Sequence, residues 1–267
     1  MAETSSGAET SRKSVPVIPL HIIWPFILLT SLFAWWGLAN NMTDTLLAAF
    51  KRIMSMSDAK TAYIQVVCYL FGYGFLAIPA AIYIKKFSYK SGVLLGLGLY
   101  ATGAILFIPA GWTANYFSFL AAIWILFSGL SILETAANPY ILAMGPEETA
   151  TRRLNFAQSF NPIGSIMGVV VSKFFILSKL NTASAQERAQ MSREQLQAIQ
   201  SSELHAITTT YVTVGVILIV TWILIATNKK MPKTGEAGGP LNLGPTFKRL
   251  LTNRHYVWGV LAQFFYV

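Results

Sequence analysis

Trp35-Trp36-Gly37-Leu38-Ala39-Asn40-Asn41-Met42-Thr43-Asp44 lies inside an apolar run from about Ile22 to Phe50, and its reading decides the fold. Such a run is long enough to cross a bilayer as a helix, which takes roughly 20 residues. Two amides and a carboxylate within it are unfavourable unless they face protein or a water-filled cavity. On a helix Asn40 and Asp44 are four residues apart and Asn41 and Asp44 three apart, so they share one face. Leu46, Leu47, Ala48 and Ala49 continue the run, which argues against a helix end emerging into water. The stretch reads as a spanning helix with a polar stripe turned inward.

Working outward, apolar segments of spanning length fall at roughly 22–49, 61–84, 91–110, 116–144, 156–178 and 206–226, and another begins near Tyr256. Hydrophobic residues make up 54% of the 267 and charged ones only 12%, and the mean hydropathy is +0.52. That composition excludes an ordinary soluble domain. The net charge of +9 does not indicate nucleic acid, because the basic residues sit in short loops between apolar runs, as in a polytopic membrane protein. With the N-terminus inside, 13 of the 20 Lys and Arg fall on the cytoplasmic side, which favours that orientation.

Cys68 is the sole cysteine, and His21, His205 and His255 are scattered, so no disulfide, metal site or cofactor is expected. No phosphate-binding Gly-Lys motif occurs, which argues against ATP coupling. The reading is a membrane protein that is not an enzyme. Residues 1–20 are expected to be a disordered cytoplasmic tail, 21–226 the six-helix membrane domain and 227–255 a cytoplasmic central linker rich in Gly and Pro. Residues 256–267 are expected to be the truncated start of a seventh helix. Ser192-Arg193-Glu194-Gln195 has a capping-box pattern, from which a small surface helix is expected in the 180–205 stretch.

The fourth span carries Glu134-Thr135-Ala136-Ala137-Asn138-Pro139-Tyr140. A carboxylate that deep is a functional candidate by default, and Asn138 shares its face. Pro139 cannot donate to the Thr135 carbonyl, so a kink is expected one turn after Glu134. In span five, Gln158 and Asn161 share a face and Pro162 frees the Gln158 carbonyl, while Gly164 and Gly168 read as helix packing. Gly92 and Gly96 in span three read the same way. Gln65, Tyr69 and Tyr73 in span two fit a site stripe and core packing equally well. By the rise of an α-helix, Asp44 should lie roughly 9 Å from the outer end of its span and Glu134 about 15 Å from the inner end of its own.

A weak repeat relates spans one to three to spans four to six. Each set opens with a long helix holding an acid beside asparagines, and the second helix of each has Gln then Gly. Two inverted three-helix repeats with a site at their interface are the construction of transporter halves. Asn and Gln both donate and accept, which suits sugar hydroxyls, and Trp35 or Trp36 could wall the ring. A channel would more often show rings of like residues, and none is seen.

The strings ANNMTDTLL (39–47), IPAAIYIKKFSYKSG (78–92), LETAANPY (133–140), RLNFAQSFNPIG (153–164) and LAQFFYV (261–267) resemble the L-fucose–proton symporters. Those form part of the fucose/galactose/glucose branch of the major facilitator superfamily, and the resemblance runs from about Trp24 to the last residue. It implies an all-α polytopic fold of major-facilitator type, here a six-helix N-terminal half of two inverted three-helix repeats plus the start of a seventh span. It implies proton-coupled L-fucose uptake by alternating access in the bacterial inner membrane, with Asp44 and Glu134 coupling protons. Asn41, Gln158 and Asn161 would contact the sugar, with Trp36 and Asn138 beside them. Family members have twelve spans, so this chain is expected to be the N-terminal part, with the C-terminal half of the same transporter as its partner. The alternatives are symport of galactose, glucose or an N-acetyl-hexosamine, or a non-transporting helical module that assembles with a partner.

Overall fold

The computed structural model describes residues 15–232 and 242–266, and every regular element among them is helical. Helices α1 (Leu20–Ile53), α2 (Asp58–Lys86), α3 (Tyr89–Thr113), α4 (Tyr116–Ala143) and α5 (Glu147–Lys179) are each long and apolar enough to cross a membrane. A short α6 (Ala185–Gln190) precedes the sixth such helix, α7 (Arg193–Thr227). Two further helices, α8 (Leu243–Thr252) and α9 (Arg254–Tyr266), follow. Side-chain caps start the spans where water would otherwise satisfy the first amides: Ser57 accepts from Lys60 N, Ser88 from Ser91 N, and Asn115 from Phe117 N.

Span positions read from hydropathy agree with these helices to within a few residues at most ends. The exceptions are the starts of α5 and α7, where polar turns extend each helix beyond its apolar segment. Where small residues fall, the helices approach closely. A Cβ on Gly164 would stand 1.9 Å from the Ala34 carbonyl oxygen, so α1 and α5 cross backbone to backbone. Gly96 and Gly129 do the same for α3 and α4, where added Cβ atoms would meet Leu133 N at 2.5 Å and Tyr100 N at 2.3 Å. The glycines expected to be packing residues are packing residues, which is how helices associate where lipid supplies no hydrophobic drive.

The pairing is reciprocal. α1 packs on α5, and α4 packs on α2 as well as α3. The first helix of each three-helix set thus leans on the second helix of the other. A second shared feature was not legible in the sequence: α2 contains a π-helical segment at Val66–Gly74 and α5 one at Ser172–Ile176. Both are second helices of their sets.

One local expectation needs correction. The capping box at Ser192 and Gln195 forms, but it starts α7 itself. Nothing between Leu196 and Ala206 breaks the helix, so the turn runs on into the span. The small surface helix is α6, opened by its own capping box at Ser184 and Glu187. Pro139 lies inside α4, whose helical assignment runs on through it, and near Pro162 the helix is interrupted at Ser159, just after Gln158. The 227–255 stretch is not featureless, since α8 lies within it. Its Gly235–Pro240 part lies outside the described residues, as does residues 1–14 of the expected tail.

Candidate functional site

α1 and α4 set the level of the site. Trp36, on α1, and Glu134, on α4, line one narrow cleft with Leu32, Phe33, Leu130 and Leu133. The cleft measures about 10 Å³, which is room for a single water and not for a sugar. Tyr73 reaches it from the π segment of α2, which α4 holds by a bond from Ser131 Oγ to the Tyr73 carbonyl at 2.9 Å. The Tyr73 hydroxyl stands within interaction range of both the Glu134 carboxylate and Trp36. Neither that hydroxyl nor Trp36 Nε1 completes a hydrogen bond among the described residues, although both are buried. Two unsatisfied buried donors beside a carboxylate are a standing demand for a water or a ligand hydroxyl.

The amides extend from this point. Asn138 Nδ2 donates to the Glu134 carbonyl at 3.1 Å, and Gln158 Nε2 donates to Asn138 Oδ1 at 3.2 Å. Gln158 is exposed and Asn138 half-buried, so the pair links α4 to α5 along an open face. Asn41 is half-buried and donates to the Gly37 carbonyl at 3.2 Å. Asn161 is also half-buried, and its backbone carbonyl lies where a Cβ on Gly37 would stand. α1 and α5 thereby bring Asn41 and Asn161 close to one crossing. Each amide keeps donor or acceptor capacity beyond the bonds described.

Asp44 stands apart. It is exposed, has no hydrogen-bond partner among the described residues, and lies within electrostatic reach of Tyr69 and Tyr211. It follows Trp36 by eight residues, about 12 Å along α1. Asp44 and Glu134 are therefore not a paired acid site. Of the residues left open in span two, Tyr73 belongs to the cleft, Tyr69 packs edge-on against Phe127 near Asp44, and Gln65 is exposed. Period alone could not separate them, because the π segment changes which residues of α2 face α4. Among the described residues, no cluster of three His, Cys, Asp or Glu side chains could hold a metal.

The profile of the Major Facilitator Superfamily matches residues 19–267. The L-fucose-proton symporter of Haemophilus influenzae is 42% identical over 257 residues, which cover 94% of this chain and 60% of that protein. The Escherichia coli L-fucose-proton symporter is 41% identical, over 92% of this chain and 56% of its own length. A glucose/galactose transporter of Brucella abortus is 37% identical over 161 residues, 60% of this chain and 39% of that protein. A crystal structure of the E. coli fucose:proton symporter superposes with a TM-score of 0.79 at 39% identity, covering 91% of this chain and 59% of that one. The chain spans about 60% of the length of the curated relatives it matches.

Proposed function

The chain belongs to the Major Facilitator Superfamily, and from that premise we propose that it forms the N-terminal, six-span part of a proton-coupled L-fucose symporter working by alternating access. It sits in the membrane as a multi-pass protein, with its N-terminus on the cytoplasmic side. The C-terminal half of the same transporter supplies the opposite wall of the cavity. The reading rests above all on Glu134, a carboxylate within a spanning helix, set against the unpaired donors of Trp36 and Tyr73.

In this reading Glu134 carries a proton while its surroundings are closed, because a bare carboxylate in a dry cleft is costly. Sugar hydroxyls exchange with the water-sized space beside Glu134 and bond to Asn138, Gln158, Asn41 and Asn161. The Trp36 ring walls the sugar's C–H face. Asp44, exposed and about 12 Å away along α1, exchanges protons with solvent. The helices reorient only when the acids are neutral, so sugar movement is tied to proton movement.

The test uses the full-length transporter in proteoliposomes, with accumulation and counterflow scored separately. Asp44→Asn, a fixed mimic of the neutral acid, should lose proton-driven accumulation and retain sugar counterflow. Glu134→Ala should lose both. If Asp44→Asn still accumulates sugar against a gradient, Asp44 is not the coupling acid. L-fucose should compete best, with galacto-configured sugars weaker. Glucose outranking fucose would reassign the substrate and leave the proton roles standing.

A further inference from the structure

α3 and α7 contribute none of the amides or carboxylates of the site, yet a long groove runs between them. Its polar part, about 580 Å³, is lined by Lys90, Tyr83, Ser88, Ser91 and Leu94. Its other part, about 380 Å³, is apolar and lined by Ala101, Ile105, Leu106 and Ile219. Gly98, Thr102 and Trp222 line both parts, so the two are continuous. From Lys90 to Leu106 the groove follows about 24 Å of α3, more than the roughly 15 Å of hydrocarbon in one leaflet.

The polar end is basic and hydroxyl-rich. Lys90 Nζ donates to the Ala226 and Asn228 carbonyls at 3.0 and 3.1 Å. An ammonium has three donors, so one remains for the groove. The Tyr83 hydroxyl and Ser91 Oγ lie 2.8 Å apart beside it. Lys229 and Lys230 follow directly on Asn228, whose carbonyl Lys90 holds. No Asp or Glu occurs between Asp58 and Glu134, nor between Glu203 and Glu236. Trp222, its Nε1 donating to the Leu94 carbonyl at 2.9 Å, stands where the polar part gives way to the apolar one. A basic head, an aromatic at the boundary and an apolar trough match a phospholipid with a net negative headgroup.

We propose that this α3–α7 groove binds one anionic phospholipid, its phosphate held by Lys90 with the neighbouring hydroxyls and one acyl chain laid along Gly98 towards Ile105. The occupant is independent of which sugar the transporter carries.

Native mass spectrometry of the detergent-purified full-length protein, titrated with phosphatidylglycerol or phosphatidylcholine, reads it directly. One engaged lysine should retain phosphatidylglycerol about fivefold better than phosphatidylcholine. Lys90→Gln should bring the two lipids to parity. A Cβ on Gly98 would meet Trp222 Nε1 at an ordinary 3.4 Å, so Gly98→Leu should fit and fill the trough, and retention of both lipids should fall. Should either variant fold poorly, the unmodified protein in vesicles gives the same answer. Brominated phosphatidylglycerol should quench tryptophan fluorescence more than brominated phosphatidylcholine, and Trp222→Phe should erase the difference. Equal retention of the two lipids by the unmodified protein would overturn the proposal. So would an unchanged preference in Lys90→Gln, displacement by glycerol 3-phosphate alone, or a second protein copy found on this face.

Discussion

Breaking the Arg188–Glu203 pair gives the sharpest stability test the structure offers. Arg188 Nη1 donates to Glu203 Oε2 at 2.9 Å and Nη2 to Oε1, and the two side chains are only 3% and 1% exposed. The Glu203 carboxylate also accepts from Asn181 N at 2.8 Å, and its bonds hold the Arg188 guanidinium above its ordinary pKa. Arg52, from the end of α1, donates to the Asn181 and Ala183 carbonyls, and Gln200 Nε2 to the Ile53 carbonyl at 2.6 Å. The buried pair fastens α6 to α7, and the Arg52 and Gln200 bonds tie that connection to the end of α1. Glu203→Leu strands a buried guanidinium and should cost about 3–5 kcal/mol. At roughly 2–4 °C per kcal/mol for a body of this size, the midpoint should fall by about 6–20 °C. Arg188→Met with Glu203→Leu removes both charges and leaves mainly the Asn181 amide unpaired, about 1–3 kcal/mol. The double variant should thus be more stable than Glu203→Leu alone. The assay is the monodisperse fraction left after heating in detergent, read as a ranking because such unfolding is irreversible. Asp58→Ala, which breaks the exposed Lys51–Asp58 pair, is the control and should cost no more than about 1 kcal/mol. If the double variant melts at or below Glu203→Leu, the pair is not held by compensation of charge and the reasoning fails.

Gly164→Ala should abolish folded yield, since its Cβ would press on the Ala34 carbonyl, whereas Gly244→Ala, which meets nothing within 4 Å, should stay within about 0.5 kcal/mol of the parent; equal yields would refute the close α1–α5 crossing. Tyr73→Phe removes a hydroxyl without a hydrogen-bond partner, so the midpoint should hold while sugar counterflow slows; unimpaired counterflow would take the cleft out of the sugar path. Ser184, through its backbone amide first and its side chain second, holds the Glu187 carboxylate below its ordinary pKa. A depressed folded-state pKa means support that is present above the unfolded value and lost as pH falls through the folded one. Protection of the α6 amides, taken relative to intrinsic exchange at each pH, should therefore fall as pH drops below the ordinary glutamate range, and Glu187→Gln should flatten that response.

The fold was legible because a spanning helix must be apolar for most of its length and because Gly spacing marks where backbones meet. Gly37, Gly96 and Gly164 each stand at a helix crossing for that reason. What the sequence did not disclose depended on local hydrogen-bond register. The π segment at Val66–Gly74 holds no Pro, and its Gly72 and Gly74 do not by themselves announce a change of helical register, yet it sets which of Tyr69 and Tyr73 meets Glu134. The start of α7 was missed because a capping box marks where a helix begins and is silent on where it ends. Glu134 and Asp44 were visible as carboxylates in apolar runs. Their different surroundings, one in a closed cleft and one exposed, came only from which helices pack against them.

Depth then constrains how the two acids can work together. Asp44 lies nine residues before Ile53 and Glu134 nine before Ala143, so each is about 14 Å from the end of its own helix. α1 and α4 run in opposite directions, so those ends lie at opposite faces. For Asp44 that is farther from the helix end than the roughly 9 Å expected from hydropathy, because α1 continues past Phe50 through Lys51 and Arg52 to Ile53. Adding the roughly 12 Å from Asp44 to the Trp36–Glu134 level gives about 40 Å, against about 42 Å for the 28 residues of α4. The acids are therefore placed symmetrically about the middle of the helix bundle, as inverted repeats require. No hydrogen bond spans 12 Å, so a proton cannot pass directly between them. Coupling in the proposed symporter must run through what lies between, namely Asn41, bound water and the sugar's own hydroxyls, or through a shift of the whole bundle that both acids bias. Asn41→Leu separates these routes. It should decouple the two acids if the link is a hydrogen-bonded chain, and it should weaken only sugar affinity if the link is the bundle's reorientation.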